Sequence, residues 1–197
     1  MLLLLKELVM KKDVLLKQVA TKLFYEQGWI LTSVAEICRA AGVSRVTFYK
    51  YFPTKQALVK RIFEEQKNKI REGFDVLLDT QSDLSKIITK ILSMQQDSME
   101  TLYSIPVLHD LHYEQDRELR EFFNEMVKEK YQYMHYFFGT LQKRKIIRDD
   151  FPVMLIDLFI QKIDEILNSA SLQFYYKGRE QKLFKDVLKL FMCGIRY

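Results

Sequence analysis

Apolar residues recur every three to four positions along almost the whole chain, and stretches that alternate apolar with polar are nearly absent. An amphipathic helix imposes that period, so the pattern predicts an all-α protein of about nine helices. The first runs through VLLKQVATKLFYEQG, with Leu16, Ala20, Leu23 and Phe24 on one face and Gly28 as its stop. Ser33 and Glu36 form a capping box that starts a second helix ending near Gly42. Ser44 caps a third, which cannot pass Pro53. Thr54 caps a fourth, running from Lys55 into the 70s. Beyond it the pattern gives a helix from Leu84 to Leu102, a break at Pro106, a short helix with Leu108 and Leu111, and a long one from Asp116 to Lys143. Asp149, Asp150 and Pro152 open a segment over 153–176 that is apolar on more than one face, and Gly178 ends it. A last helix, QKLFKDVLKLFMCG, follows.

Charge divides the chain where the helices do not. Residues 1–61 carry eleven Lys or Arg against four Asp or Glu, whereas residues 62–197 carry twenty against twenty-two. A basic amino-terminal module on a near-neutral body points to a polyanionic partner for that module. The expected division is therefore residues 1–60 as the basic module and 61–197 as the body, with the boundary inside the fourth helix. Within the module, MKKDVLLKQVA from Met10 reads as a basic leader into the first helix. MLLLLKELV reads as an upstream extension, so residues 1–13 form a candidate arm. That greasy opening is too short to span a bilayer and lacks a cleavage pattern, and no later stretch approaches a membrane span. Cys38 and Cys193 are the only cysteines and make neither a metal spacing nor a disulfide framework. A soluble cytoplasmic protein with no membrane partner is the expectation.

The chemistry concentrates in AGVSRVTFYKYFPTKQAL, residues 41–58, where Phe48, Tyr49 and Tyr51 crowd beside Arg45 and Lys50. Two helices crossing steeply at a short turn need a glycine at the turn, a small residue one helical turn before it and apolar residues in the corner. Gly42, Cys38, Ile37, Ala41, Val43, Phe48 and Tyr51 or Phe52 meet that need. The same register leaves Ser44, Arg45, Val46, Thr47, Tyr49 and Lys50 outward. A guanidinium, an ammonium, a hydroxyl and a phenol on one helix face suit base edges and phosphates in a major groove. The segment from Leu16 to Leu58, and above all TSVAEICRAAGVSRVTFYKYFPTKQAL, resembles the DNA-binding domain of the TetR family of bacterial transcriptional regulators. That resemblance implies phosphate contacts from Thr32 or Ser33, Tyr49, Tyr51 and Lys55, and base readout by Arg45, Val46, Thr47 and Lys50. Cys38 stands where the family usually has alanine, and Val46 where glycine or another small residue is common.

In the body, Ile156, Phe159, Ile160, Ile163, Ile166, Leu167, Leu183, Phe184, Val187, Leu188 and Phe191 present more apolar surface than two terminal helices need when one flank faces water. A two-fold, four-helix interface of the kind the family forms would cover it, making the chain a homodimer. The middle helices are rich in rings and thioethers, and the resemblance implies a small-molecule effector cavity among them. Its candidate lining is Phe63, Phe74, Met94, Met99, Tyr103, Phe122, Met126, Tyr133 and Phe137. His109 and His112, near Asp110 and Asp116, lack a clear third ligand, so neither a metal nor a cofactor is expected. There is no phosphate loop, nucleophile elbow or catalytic carboxylate pair, hence no enzyme. The resulting expectation is a regulator, most often a repressor, that leaves a palindromic double-stranded DNA operator when an apolar or aromatic effector binds. A ligand-independent structural or nucleoid-occlusion factor and a ligand-triggered activator are the alternatives.

Overall fold

In the computed structural model, which describes residues 12–167 and 169–195, every element is a helix. In chain order they are α1 (Lys12–Leu31), α2 (Val34–Ala41), α3 (Arg45–Tyr51), α4 (Lys55–Thr80), α5 (Leu84–Thr101), α6 (Ile105–Tyr113), α7 (Arg117–Lys143), α8 (Val153–Leu167), α9 (Ala170–Tyr175) and α10 (Glu180–Ile195). The single helix expected over 153–176 is two, because Ser169 leaves helical backbone (φ −62°, ψ 122°) and starts α9. The arm expected before residue 12 lies outside the described residues. Among the described residues, no helix is long and apolar enough to cross a membrane.

The helix boundaries follow their caps. Ser33 accepts from the Glu36 amide while the Glu36 carboxylate accepts from Ser33 N at 2.7 Å, a complete capping box that holds the Glu36 carboxyl below its ordinary range. Gly42 ends α2 in the left-handed region (φ 63°), and Val43 N reaches back to Cys38 O at 3.0 Å. Ser44 Oγ, Thr54 Oγ1, Ser104 Oγ and Asp116 Oδ1 accept the exposed amides at the starts of α3, α4, α6 and α7.

The chain divides into two compact units. The first runs to Lys69 and includes Asp97–Phe123; the second comprises Ile70–Gln96 and Asn124 onwards. The boundary therefore falls inside α4, about two and a half helical turns beyond the expected residue 60, and a central segment returns to the first unit.

Inside the first unit, Leu16, Ala20 and Phe24 of α1 pack with Ile37, Cys38 and Ala41 of α2 and Phe48 of α3, all buried. A second cluster is aromatic. Trp29 meets Phe63 edge-on at 5.5 Å, and Phe63 meets Phe123 at 5.0 Å and Tyr103 at 6.0 Å. Burial pushes the Tyr103 phenol up to about 12. The second unit has its own core, in which Leu77, Leu78, Ile87, Phe137, Leu141, Ile147 and Ile156 are buried. Phe74 stacks edge-on against Phe137 at 4.9 Å and Tyr133 at 6.2 Å. Gln142 Nε2 donates to Arg148 O and Phe151 O, both at 3.1 Å, pinning the turn between α7 and α8.

Gly28, expected as a helix stop, is instead a kink. Its φ of 80° and ψ of 164° interrupt α1, and the chain resumes as far as Leu31. A Cβ at Gly28 would stand 2.3 Å from Asp110 Oδ2. Gly28→Ala therefore combines backbone strain at positive φ with displacement of a buried carboxylate. It should destabilise the protein by more than ~1 kcal/mol, read as a lowered urea midpoint at unchanged m-value.

Candidate nucleic-acid interface

The corner between α2 and α3 is filled by Phe48 (0% exposed), Phe52 (6%) and half-buried Val43. Pro53 ends the helix just past Phe52, whose amide bonds Phe48 O at 2.9 Å. Of the two rings considered for the corner, Phe52 occupies it and Tyr51 turns out to 41% exposure. The opposite face of α3 is left to solvent. Arg45, Tyr49 and Lys50 are exposed and Thr47 is half-buried. Val46, at 82%, is an aliphatic side chain with nothing of its own fold to cover it. Ser44 Oγ and Thr47 Oγ1 lie 3.0 Å apart, so part of the hydroxyl content of this face is spent on holding the helix start. Burial raises the Cys38 thiol beneath the corner above its ordinary range, which suits a packing residue.

Two side chains assigned to phosphate by resemblance are placed elsewhere. Thr32 is fully buried; its hydroxyl donates to Gly28 O at 2.6 Å and accepts from Gln27 Nε2 at 3.2 Å. The kink at Gly28 frees that carbonyl, and the threonine turns inward to satisfy it. Ser33 is exposed, with its hydroxyl engaged by Glu36. Lys55 is half-buried, and its ammonium donates to Trp29 O at 2.6 Å and Thr32 O at 3.0 Å, with Ile30 O at 3.4 Å. The start of α4 thus caps the end of α1, a structural task in place of the phosphate contact drawn for Lys55.

The same segment is held from its other side by α6. Asp110 is 4% exposed and accepts the Ile30 amide at 2.8 Å. Glu114 is 9% exposed and accepts the Trp29 indole N–H at 2.7 Å and the Asp116 amide at 2.8 Å. Gln56 of α4 reaches Asp116 at 3.2 Å. Asp110 lies in the last turn of α6 and Glu114 is its C-cap residue, one helical turn further on, so both acids stand at the C-terminal end of that helix. Sequence reasoning had put Asp110 and Asp116 near a weak metal possibility and had passed over Glu114 and Trp29. The usable signal was a pair of acids at helical spacing in a segment otherwise apolar enough to be buried. Among the described residues, no group of three metal-ligating side chains converges.

The nine side chains expected around an effector divide between the two units. Phe63, Tyr103, Phe122 and Met99 belong to the first, and Phe74, Met94, Tyr133, Phe137 and Met126 to the second. Most of them pack on protein partners. Phe63 and Phe137 are 1% and 0% exposed, Met94 covers Gly73, Phe122 lies under Lys60 Nζ at 5.7 Å, and Tyr133 donates to Asp75 at 2.6 Å beneath Arg71. A groove of about 440 Å³ on the first unit contains none of the nine. Its apolar floor is Val14, Ile62 and Leu102, beside the 2.5 Å ion pair of Lys17 and Glu65.

The expected interface side chains also separate. Ile156, Leu183 and Val187 are buried within their own unit, at 1%, 5% and 9% exposed, and are core rather than interface. Ile156 joins Phe137 and Leu141 of α7 in that unit's core. Phe159 and Ile166 are exposed, while Ile160, Ile163, Leu167, Phe184, Leu188 and Phe191 are half-buried. Met154, Leu155, Leu158 and Leu190, which the pattern had not singled out, are exposed as well.

Two helices joined at the left-handed Gly42 turn, with a polar, cationic outer face on the second, define the module as a helix-turn-helix. Residues 16–62 match the family model described as bacterial regulatory proteins, tetR family. That match covers the helix-turn-helix module, about a quarter of the chain, and it is this module that is similar to the family. An uncharacterized HTH-type transcriptional regulator of Bacillus subtilis, YuxN, is 43% identical over 49 residues, which are 25% of this chain and 17% of that protein's length. The fold extends further than the sequence likeness. The Bacillus halodurans fatty acid degradation regulator FadR superposes with a TM-score of 0.72 at 19% identity, over 95% of this chain and 98% of that one. The Bacillus subtilis FadR, solved with stearoyl-CoA, gives 0.69 at 19% identity over 92% and 98%. Reduced E. coli NemR gives 0.70 at 14% identity over 94% and 97%.

Burial pulls the Lys55 ammonium below its ordinary range, against the charges of Asp110, Glu114 and Glu36. The folded chain then releases this proton at lower pH than the unfolded chain, so just below pH 10.5 the unfolded state holds more protons and this group makes stability rise with pH. Lys55→Met should abolish that slope in alkaline urea titrations. At neutral pH it should cost about 1–3 kcal/mol, since Trp29 O and Thr32 O lose their donor.

Proposed function

We propose that the chain is a homodimeric transcriptional regulator that binds a roughly palindromic operator as a repressor and is released by a small apolar or aromatic effector. The outward face of α3 carries this reading: Arg45, Val46, Tyr49, Lys50 and Tyr51 are exposed on a helix anchored by the fully buried Phe48. A cationic side chain beside an aliphatic one and a phenol matches the mixed features of a major groove, where guanine offers acceptors and thymine a methyl group. Residues 1–60 and 61–197 correspond in this reading to DNA recognition and to effector binding with dimerisation.

Dimerisation is supported by α8. Met154, Leu155, Leu158 and Phe159 are 43–68% exposed on one helix, a contiguous apolar exposure that a lone soluble chain rarely keeps. A second copy covering it makes a two-fold dimer, and reading a palindromic operator requires the two α3 helices of such a dimer about one DNA turn apart, near 34–36 Å. The apolar character of the effector is supported by the abundance of rings and methionines in the body, and by the stearoyl-CoA bound to the Bacillus subtilis FadR neighbour.

Selection of bound sequences from random DNA tests the reading, and recovery of no consensus overturns it. On the selected site, Arg45→Ala should cost about 1–3 kcal/mol if its contact is to a base, measured by titration at fixed salt. Leu158→Glu removes little packing within its own unit, because Leu158 is 52% exposed. It should sediment as a folded monomer and lose most operator affinity, since one half-site supplies too few contacts; an unchanged dimer places the interface elsewhere.

A further inference from the structure

We propose that Asp110 of α6 and Glu114, the residue that caps its C-terminus, are positioning residues for DNA recognition: they fix the segment Gly28–Thr32, and through it the start of α2 and the angle of α3. The inference rests on the operator-binding reading above. The segment is short and its polar groups are committed on both sides. Asp110 takes the Ile30 amide at 2.8 Å, Glu114 takes the Trp29 indole N–H at 2.7 Å, and Lys55 takes the carbonyls of Trp29 and Thr32 at 2.6 and 3.0 Å. Ser33, the next residue, is the N-cap of α2, so no free chain lies between the clamp and the helix pair. Asp110 also approaches Gly28 so closely that only glycine fits there. α6 makes no part of the outward face of α3, yet its two acids set the segment from which that face departs. Reading two half-sites demands a fixed spacing, and a shift of about 1 Å in a positioned group is enough to lose contacts made by bidentate geometry.

Trp29 is the only tryptophan in the chain, and Glu114 accepts its N–H, so tryptophan emission reports this clamp without a label. The experiment uses the full-length protein, an operator selected by the wild type, and an unrelated duplex of equal length. Glu114→Ala should shift the emission, weaken operator binding at least tenfold, and change binding to the unrelated duplex less than twofold, with helix content unchanged by circular dichroism. Glu114→Gln keeps an acceptor for the indole and should retain operator affinity within threefold. If Glu114→Ala does not fold, Trp29→Phe takes its place, because it retains ring contacts with Phe63 and Phe123 and removes the N–H. Loss of affinity for both duplexes alike, or none for either, overturns the positioning role. Failure of the wild type to select any sequence defeats the operator-binding reading itself, which is a separate outcome.

Discussion

Five residues, Gly28 to Thr32, leave backbone groups that the end of a helix does not satisfy alone, and three of the five, Gly28, Trp29 and Thr32, are buried from water. Their partners come from two other helices. α4 supplies the Lys55 ammonium, and α6 supplies the carboxylates of Asp110 and Glu114. A buried carboxylate is costly unless it receives hydrogen bonds and faces an opposite charge. Here each acid receives an N–H, and burial lowers the lysine pKa against the pull of both acids. Removing any one of the three leaves the other two worse compensated. The result is a single polar knot, at the junction of α1, α4 and α6, inside an otherwise apolar unit.

Around that knot the aromatic cluster of Trp29, Phe63, Tyr103 and Phe123 supplies the area burial that hydrogen bonds do not. The rings lie 5.0–6.0 Å apart, Trp29 and Phe123 tilted and the other three pairs edge-to-face, a spacing that adds modestly to burial itself. On the other side of α1, Phe24, Ile37 and Phe48 anchor the helix pair, which leaves α3 with one face committed and one free. The free face is therefore polar, cationic and in one place, Val46, aliphatic. The second unit solves a different problem: its core is closed by Ile156, Phe137 and Leu141, but α8 retains a row of exposed apolar side chains that its own unit does not cover.

The helix starts were legible because each carries its cap in the adjacent sequence: Ser33 with Glu36, Ser44, Thr54, Asp116. The outward set on α3 was legible for a related reason, since a seven-residue helix bounded by a glycine turn and a proline allows few registers. The choice between Tyr51 and Phe52 was not, because both lie within reach of the corner and one residue of rotation about a helix separates them. The roles of Thr32, Lys55, Asp110 and Glu114 were illegible for a stronger reason. Their partners lie up to 85 residues away, and a polar residue looks the same in sequence whether water or another helix satisfies it. Ile156 and Val187 were misassigned to an interface because apolar periodicity marks a buried face without saying which neighbour buries it.

By itself the sequence determined the helical class, the capped helix starts and the face of α3 that meets its surroundings. These depend on capping and on a 3.6-residue period, and both act within a few residues along the chain. Tertiary structure alone decided that Gly28 kinks a helix instead of ending one, and that two acids of α6 and a lysine of α4 hold the kinked segment. It also decided which aromatic residues close a core. Those outcomes require groups distant in sequence to meet in a low-dielectric interior, where an unpaired polar atom is too costly to keep and only the folded arrangement supplies the partner.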